Sequence, residues 1–249
     1  MKRIRIIPAL LLLNDGLYKT VRFKSPKYVG DPINTVRIFN EKGADEIVLL
    51  DIGASKGKTG INYKKISEIA GEAFMPMGYG GGVKTFDEAK RVFDAGFEKV
   101  IINTAAAENP ALIGEIAKVY GSQSAVVSID VRTGLLGGYR VYVAAGSKNT
   151  GRSPADYARD MEQAGAGEVI LNSIDRDGTW EGYDIKLIRA VSEAVTIPVI
   201  ACGGAAGMDD FRKAVSEGGA SAVAAGSIFV YQKKGMGVLI SFPSQALKI

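Results

Sequence analysis

The second half of this chain repeats the first at one fixed offset. Gly43, Ala44 and Glu46 return as Gly165, Ala166 and Glu168. Pro76 returns as Pro198, Gly81-Gly82 as Gly203-Gly204, Asp87 as Asp209 and Gly96 as Gly218, each pair 122 residues apart in a chain of 249. Such a unit is too long for a solenoid repeat of roughly 20–50 residues. A half-barrel doubled into a closed ring fits it, and such a ring gathers paired loops at one end.

Length agrees with a single (β/α)8 barrel, whose chain would bury roughly 70–75% of its unfolded surface. The lone Cys202 excludes an internal disulfide and a cysteine-built metal site. The chain has no histidine, so proton transfer must fall to Asp, Glu, Lys, Tyr or Cys, and neither a metal nor a cofactor is expected. A formal charge of +4, from 31 basic and 27 acidic residues without a basic stripe, argues against nucleic acid and leaves an anionic small molecule. The apolar run Ala9–Leu13 is too short for a signal peptide or a membrane span. A cytoplasmic protein with no membrane contact is therefore expected.

Short β-branched runs alternate with amphipathic stretches, the pattern of parallel βαβ units. It predicts strands near Ile4–Leu11, Glu46–Ile52, Phe74–Gly78, Lys99–Asn103, Ser124–Asp130, Glu168–Ser173, Pro198–Cys202 and Ala220–Ala225. Helices are predicted to begin near Asp31, Asn62, Thr85, Asn109, Ser153, Tyr183, Met208 and Gly235. Thr85 with Glu88 forms a T-x-x-E capping box, and Ser153-Pro154 places proline at a first helical position. The expectation is one α/β domain over 1–249, a (β/α)8 TIM barrel with a half-barrel repeat, with a long polar loop at 12–30.

Period-two alternation picks out the inward residues of each strand. It assigns Arg5, Ile7, Ala9 and Leu11 to the first strand, Glu46, Val48 and Leu50 to the second, and Lys99, Ile101 and Asn103 to the fourth. Val126, Ser128 and Asp130 follow on the fifth, and Glu168, Ile170 and Asn172 on the sixth. Arg5, Glu46, Lys99 and Glu168 thus meet at the N-terminal mouth, where charges ordinarily form a stabilising salt-bridge ring. The alternative is a gate below a narrow apolar path.

At the other end, Gly80-Gly81-Gly82 and Gly203-Gly204 each open into a helix, while Asn103-Thr104 and Gly226-Ser227 follow the next strands. Glycines that let backbone N–H groups approach an anion, joined to helix N-termini, suit phosphate. Two pseudo-symmetric phosphate sites are expected, one using Gly82, Asn103 and Thr104, the other Gly203, Gly204, Gly226 and Ser227. Asp175, Asp177 and Gly178 lie in an acidic turn expected to touch ligand, together with Lys19 and Asp51. Asp130, inward at a strand end, is the leading general acid/base.

Arg5-Ile-Ile-Pro8, Gly30-Asp31-Pro32, Gly43-Ala-Asp-Glu46, Gly80-Gly-Gly82, Ile102-Asn-Thr-Ala-Ala106, Ser128-Ile-Asp130, Lys148-Asn-Thr-Gly151 and Ser173-Ile-Asp-Arg-Asp-Gly-Thr179 together resemble the cyclase subunit family of imidazole glycerol phosphate synthase. The resemblance runs nearly end to end. It implies a glutaminase partner docked on the barrel's N-terminal face, ammonia passing through the barrel, and a bisphosphorylated ribonucleotide substrate. It also makes Arg5, Glu46, Lys99 and Glu168 gate positions. One departure matters: where the family motif carries its first-strand catalytic aspartate, this chain has Leu11, and one residue is inserted nearby. Leucine transfers no proton, so ordinary ring closure should be impaired. The leucine-rich run and Lys19-Thr20-Val21 resemble a divergent branch associated with lipopolysaccharide-type surface polysaccharides. There a glutaminase, the barrel and an ATP-dependent sugar amidotransferase turn an N-acetyl group into an acetamidino group. The expected function is support of that amidination on a phosphorylated or nucleotide-linked sugar. The alternatives are a histidine-biosynthesis cyclase and a noncatalytic scaffold for the glutaminase.

Overall fold

The computed structural model describes residues 3–54, 60–134, 137–243 and 247–248. In chain order the strands are β1 (Arg3–Leu13), β2 (Gly16–Val21), β3 (Lys24–Gly30), β4 (Ile47–Asp51), β5 (Met77–Gly80), β6 (Lys99–Ile102), β7 (Ala125–Thr133), β8 (Tyr139–Val143), β9 (Lys148–Asn149), β10 (Glu168–Ser173), β11 (Val199–Cys202), β12 (Ala222–Ala225) and β13 (Leu247–Lys248). The helices are α1 (Pro32–Glu41), α2 (Tyr63–Ala70), α3 (Phe86–Asp94), α4 (Thr104–Glu108), α5 (Ala111–Tyr120), α6 (Pro154–Gln163), α7 (Ile185–Ser192), α8 (Met208–Ser216) and α9 (Ser227–Val230). Strands β1, β4, β5, β6, β7, β10, β11 and β12 pair in parallel, and the β10–β7 pairing closes the ring. This is a (β/α)8 TIM barrel.

Local signals set the helix starts. The side chains of Asp31, Asn62, Ser153 and Asp184 each accept a backbone N–H of the first helical turn, and Thr85 and Glu88 complete the reciprocal capping box. Such caps are worth about 1 kcal/mol each.

Burial then separates two apolar layers. Ile7, Val48, Ile101, Val126, Ile170, Ile200, Ala222 and Ala224 fill the barrel interior as one cluster. The alternate residues of the same strands face the helices, where Phe39, Tyr79, Phe211 and Phe229 are fully buried. Fully burying an aliphatic or aromatic side chain of this size contributes roughly 1.5–3 kcal/mol.

Several expected boundaries move. The third barrel strand is Met77–Gly80, later than the predicted Phe74–Gly78, because Pro76 lacks the N–H needed inside the ladder. The expected loop at 12–30 is an antiparallel hairpin: β1 continues beyond the barrel and pairs with β2, and β2 with β3. The repeat makes a second version of it, in which β7 continues past Asp130 into β8 and β9. No helix begins near Gly235. That glycine has φ +77°, outside the helical region, and the short α9 precedes a segment closed by a bridge between Tyr231 and Val238. No helix among the described residues is long and apolar enough to cross a membrane.

Candidate functional site

The C-terminal ends of the barrel strands surround a pocket of about 410 Å³. Of the residues expected to form a site, Asp130, Gly82, Asn103, Thr104, Asp177, Gly178, Gly203, Gly204, Gly226, Ser227 and Lys19 line it. Asp51 and Asp175 do not. The Asp51 carboxylate is turned into the bend after β4, accepting the N–H groups of Gly53 at 2.9 Å and Ala54 at 2.8 Å and the Tyr79 hydroxyl at 3.4 Å. Asp175 accepts Thr133 N at 2.8 Å, tying the β10 turn to β7. Both carboxylates are absorbed by backbone donors.

Asp130 is the acid the pocket keeps. It is 7% exposed, near the end of β7, where Asn103 Nδ2 donates to its Oδ2 at 3.3 Å and the Ser128 hydroxyl to its Oδ1 at 3.3 Å. Burial pushes its pKa from 3.8 up to about 7; the Ser128 hydrogen bond opposes this and the negative charge of Asp177 adds to it. A carboxyl poised there can accept or donate a proton near neutral pH. No second carboxylate faces it from β1, whose Leu11 lines the pocket with Ala9, Leu13, Leu50 and Ile52 as an apolar wall.

Beside that wall, Lys19 of β2, the strand paired with β1, is 7% exposed and donates to Thr20 O at 2.8 Å and to Asp177 Oδ1 at 2.9 Å. Its methylenes lie over Gly226, where an added Cβ would sit 3.1 Å from Lys19 Cε. Gly226 is therefore what admits the lysine. Gly204, at φ +113°, leaves no room for a side chain either, since a Cβ would fall 2.3 Å from Gly182 O. The Thr104 hydroxyl is partly engaged: it accepts Ala144 N at 3.0 Å from the β8–β9 hairpin and donates to Asn103 Oδ1 at 3.3 Å. The two glycine-rich ends lie on opposite sides of the pocket, as the repeat requires.

Asn172, Ser128 and Cys202 also line the pocket. Asn172 was legible as inward, but its condition was not: it is 7% exposed and its Oδ1 has no donor among the described residues. A buried acceptor left unpaired costs about 1–3 kcal/mol, so a ligand donor is well received there. Burial pushes the Cys202 thiol from 9.0 up to about 12, which keeps it protonated. Phe23 and Pro26 from the hairpin and Ala144-Ala145 from its counterpart complete the lining. These came from hairpins that the sequence pattern did not resolve. Among the described residues no group of three or more His, Cys, Asp or Glu side chains is placed to hold a metal ion.

At the opposite end of the strands the four charged residues meet. Lys99 Nζ lies 2.8 Å from Glu46 Oε1 and 2.7 Å from Glu168 Oε2, and Arg5 bonds both glutamates through its two terminal nitrogens. The ring is closed. Burial works against the Arg5 charge, but the hydrogen bond and charge of Glu168, then those of Glu46, outweigh it and raise the Arg5 pKa.

A (β/α)8 barrel with a ligand pocket over its strand ends and a charged ring at its other mouth is the class this geometry defines. The chain belongs to the histidine biosynthesis protein family, whose model matches residues 5–235. It is similar to the "Putative imidazole glycerol phosphate synthase subunit hisF2" of Pseudomonas aeruginosa, 53% identical over 243 residues that cover 98% of this chain and 97% of that one. It is also similar to the imidazole glycerol phosphate synthase subunit HisF of Alkaliphilus metalliredigens, 43% identical over 229 residues, 92% of this chain and 91% of that one. The corresponding subunit of Hyphomonas neptunium is 45% identical, covering 92% and 90%.

Proposed function

We propose that this barrel is the synthase subunit of a glutamine amidotransferase of the imidazole glycerol phosphate synthase kind. It takes ammonia from a glutaminase at the charged ring and delivers it to a phosphorylated ligand in the pocket. One observation carries the reading: ring and pocket are consecutive layers on the same strands. Glu168, Ile170 and Asn172 succeed one another on the inward face of β10, as Arg5, Ile7 and Ala9 do on β1. Between the two polar ends lies the apolar cluster, which admits neutral ammonia far more readily than ammonium.

In this reading Gly82, Asn103 and Thr104 hold one phosphate and Gly203, Gly204, Gly226 and Ser227 the other, with Lys19, Asp177 and Gly178 closing over the ligand. Backbone N–H groups and the lysine offset the anion's charge. Asp130 exchanges protons at the reacting centre. Its neutral-range pKa lets it act in either direction.

Leu11 favours a second reading of what is made. With an apolar wall where a second proton-transfer group would stand, the site suits amidination of a phosphorylated or nucleotide-linked sugar for surface polysaccharide, alongside an ATP-dependent sugar amidotransferase. The names of the relatives favour imidazole glycerol phosphate synthesis, and the two readings separate in one assay. The purified barrel is given an ammonium salt and the bisphosphorylated ribonucleotide of the histidine pathway. Ring closure through Asp130 alone should run at least ~100-fold below a barrel carrying both carboxylates, the ordinary worth of one general acid/base. Leu11→Asp should recover part of the loss. No turnover by either form, with amidinated sugar made by the reconstituted complex, assigns the second reading.

A further inference from the structure

The two halves of the barrel bottom are anchored alike and finished differently. The loop entering β5 is held by Phe74 N donating to Asn40 Oδ1 at 3.2 Å. Its repeat counterpart, entering β11, is held by Thr196 N donating to Glu162 Oε1 at 2.9 Å. Asn40 and Glu162 are themselves repeat partners, 122 residues apart. In the second half the Thr196 hydroxyl returns to the same Glu162 oxygen at 2.5 Å, leaving a loop whose polar groups satisfy one another. In the first half the equivalent side chain is Phe74, 87% exposed and with no such use.

A single exposed apolar residue is ordinary on a protein surface. The place of this one is not. Strand β5 lies between β4 and β6, and Ile47 N donates to Pro76 O and Glu98 N to Met77 O, each at 3.0 Å. The Phe74 loop is thereby stitched to both strand mouths that carry Glu46 and Lys99. On β5 between them, Gly78 packs against Ile101 and the Lys99 Cβ, so an added Cβ would meet Ile101 Cδ1 at 3.1 Å. On either side of Phe74 in the chain, Glu72 pairs with Arg37 and Met77 N donates to Glu98 Oε2 at 2.7 Å.

We propose that Phe74 is the apolar anchor on which the glutaminase docks, so that the partner sits off the barrel axis, over the first-half rim beside the Glu46–Lys99 side of the ring. This rests on the ammonia-accepting function proposed above. Position selects the occupant: a subunit that hands ammonia to this mouth must seal the rim around it. An exposed aromatic residue on that rim is the kind of anchor that carries such a contact. At the equivalent position of the second half the side chain is Thr196, turned onto Glu162, and it offers no apolar counterpart.

The test titrates the purified barrel with the glutaminase subunit of this type encoded in the same genome, by calorimetry. Phe74→Ser should weaken the affinity by more than about 20-fold. Its Tm should stay at the wild-type value, because the side chain buries almost nothing in the free barrel. Thr196→Arg, on the equivalent rim, should change affinity less than about threefold, as a residue outside the contact does. Wild-type affinity in Phe74→Ser overturns the anchor and leaves the ammonia-accepting function standing. Equal losses from both substitutions overturn the off-axis seat. If the wild-type barrel binds no glutaminase, the inference falls together with the function it rests on.

Discussion

Burial in the pocket wall pushes the Asp130 pKa up to about 7, against the opposing hydrogen bond from Ser128. Between the ordinary carboxyl value of 3.8 and its folded value of about 7, the native chain holds a proton that the unfolded chain has released. Stability therefore falls as pH rises through that window and is level above it. The full span corresponds to on the order of 4 kcal/mol. Asp130→Asn removes this loss, so denaturant unfolding at pH 4.5, 6 and 8 should show the variant gaining on wild type up to pH 7 and no further. A constant difference across the three values would mean that Asp130 ionises like a solvated carboxylate. Position was legible here before structure, since alternation along the strand already turned Asp130 inward. The sequence was silent on which acids remain free. Asp51 and Asp175 lie at similar strand ends, yet backbone N–H groups take them up, nearby ones for Asp51 and Thr133 N of β7 for Asp175. The clue for Asp51 was present in Asp-Ile-Gly-Ala, an acid preceding a glycine turn.

At the level of elements, the barrel strands and helix caps follow from short-range chemistry, and the two hairpins do not. Asp31, Asn62, Thr85 and Ser153 announce their helices through local side-chain to backbone bonds. The β2–β3 hairpin is held instead by distant partners: Lys19 and Thr20 to the Asp177 carboxylate, Arg22 N to Asp177 O at 2.9 Å, and Arg22 Nε to Asp175 O at 2.9 Å. Its own register is irregular, shifting twice, so no clean alternation marks it in the sequence. The Lys19–Asp177 pair is the part of this tether set in the pocket wall, with side chains 7% and 13% exposed. Lys19→Met leaves Asp177 without its cation and should cost about 3 kcal/mol, as for other largely buried pairs broken on one side. Amide exchange should then rise in Gly16–Val29 while the barrel strands stay protected. Equal exchange in both regions would show that the hairpin is held by its ladder and not by the tether.

The whole molecule places two polar assemblies at opposite mouths of one apolar tube, and the repeat explains why both are available. Duplicating a half-barrel duplicates an inward acid at the start of a strand, giving Glu46 and Glu168 at the N-terminal mouth. At 3% and 5% exposure both carboxylates are buried, where an unpaired charge is costly. Arg5 and Lys99 supply the cations, and each bridges both glutamates. A ring that is satisfied internally stays closed, so under the proposed function passage would need a partner that draws one member away. Lys99 is the member with less hydrogen-bonding reach, a point charge against the planar fork of Arg5. Lys99→Ala should cost about 3 kcal/mol in stability, since two buried carboxylates are left to one guanidinium. Its diagnostic effect lies elsewhere: an open mouth releases ammonia to solvent before it reaches the pocket. In the reconstituted complex, the variant should hydrolyse several glutamines for each product formed, while added ammonium salt restores product formation to the wild-type rate. If hydrolysis and product stay coupled one to one in Lys99→Ala, the ring is a stabilising closure of the barrel bottom and ammonia does not pass by way of it.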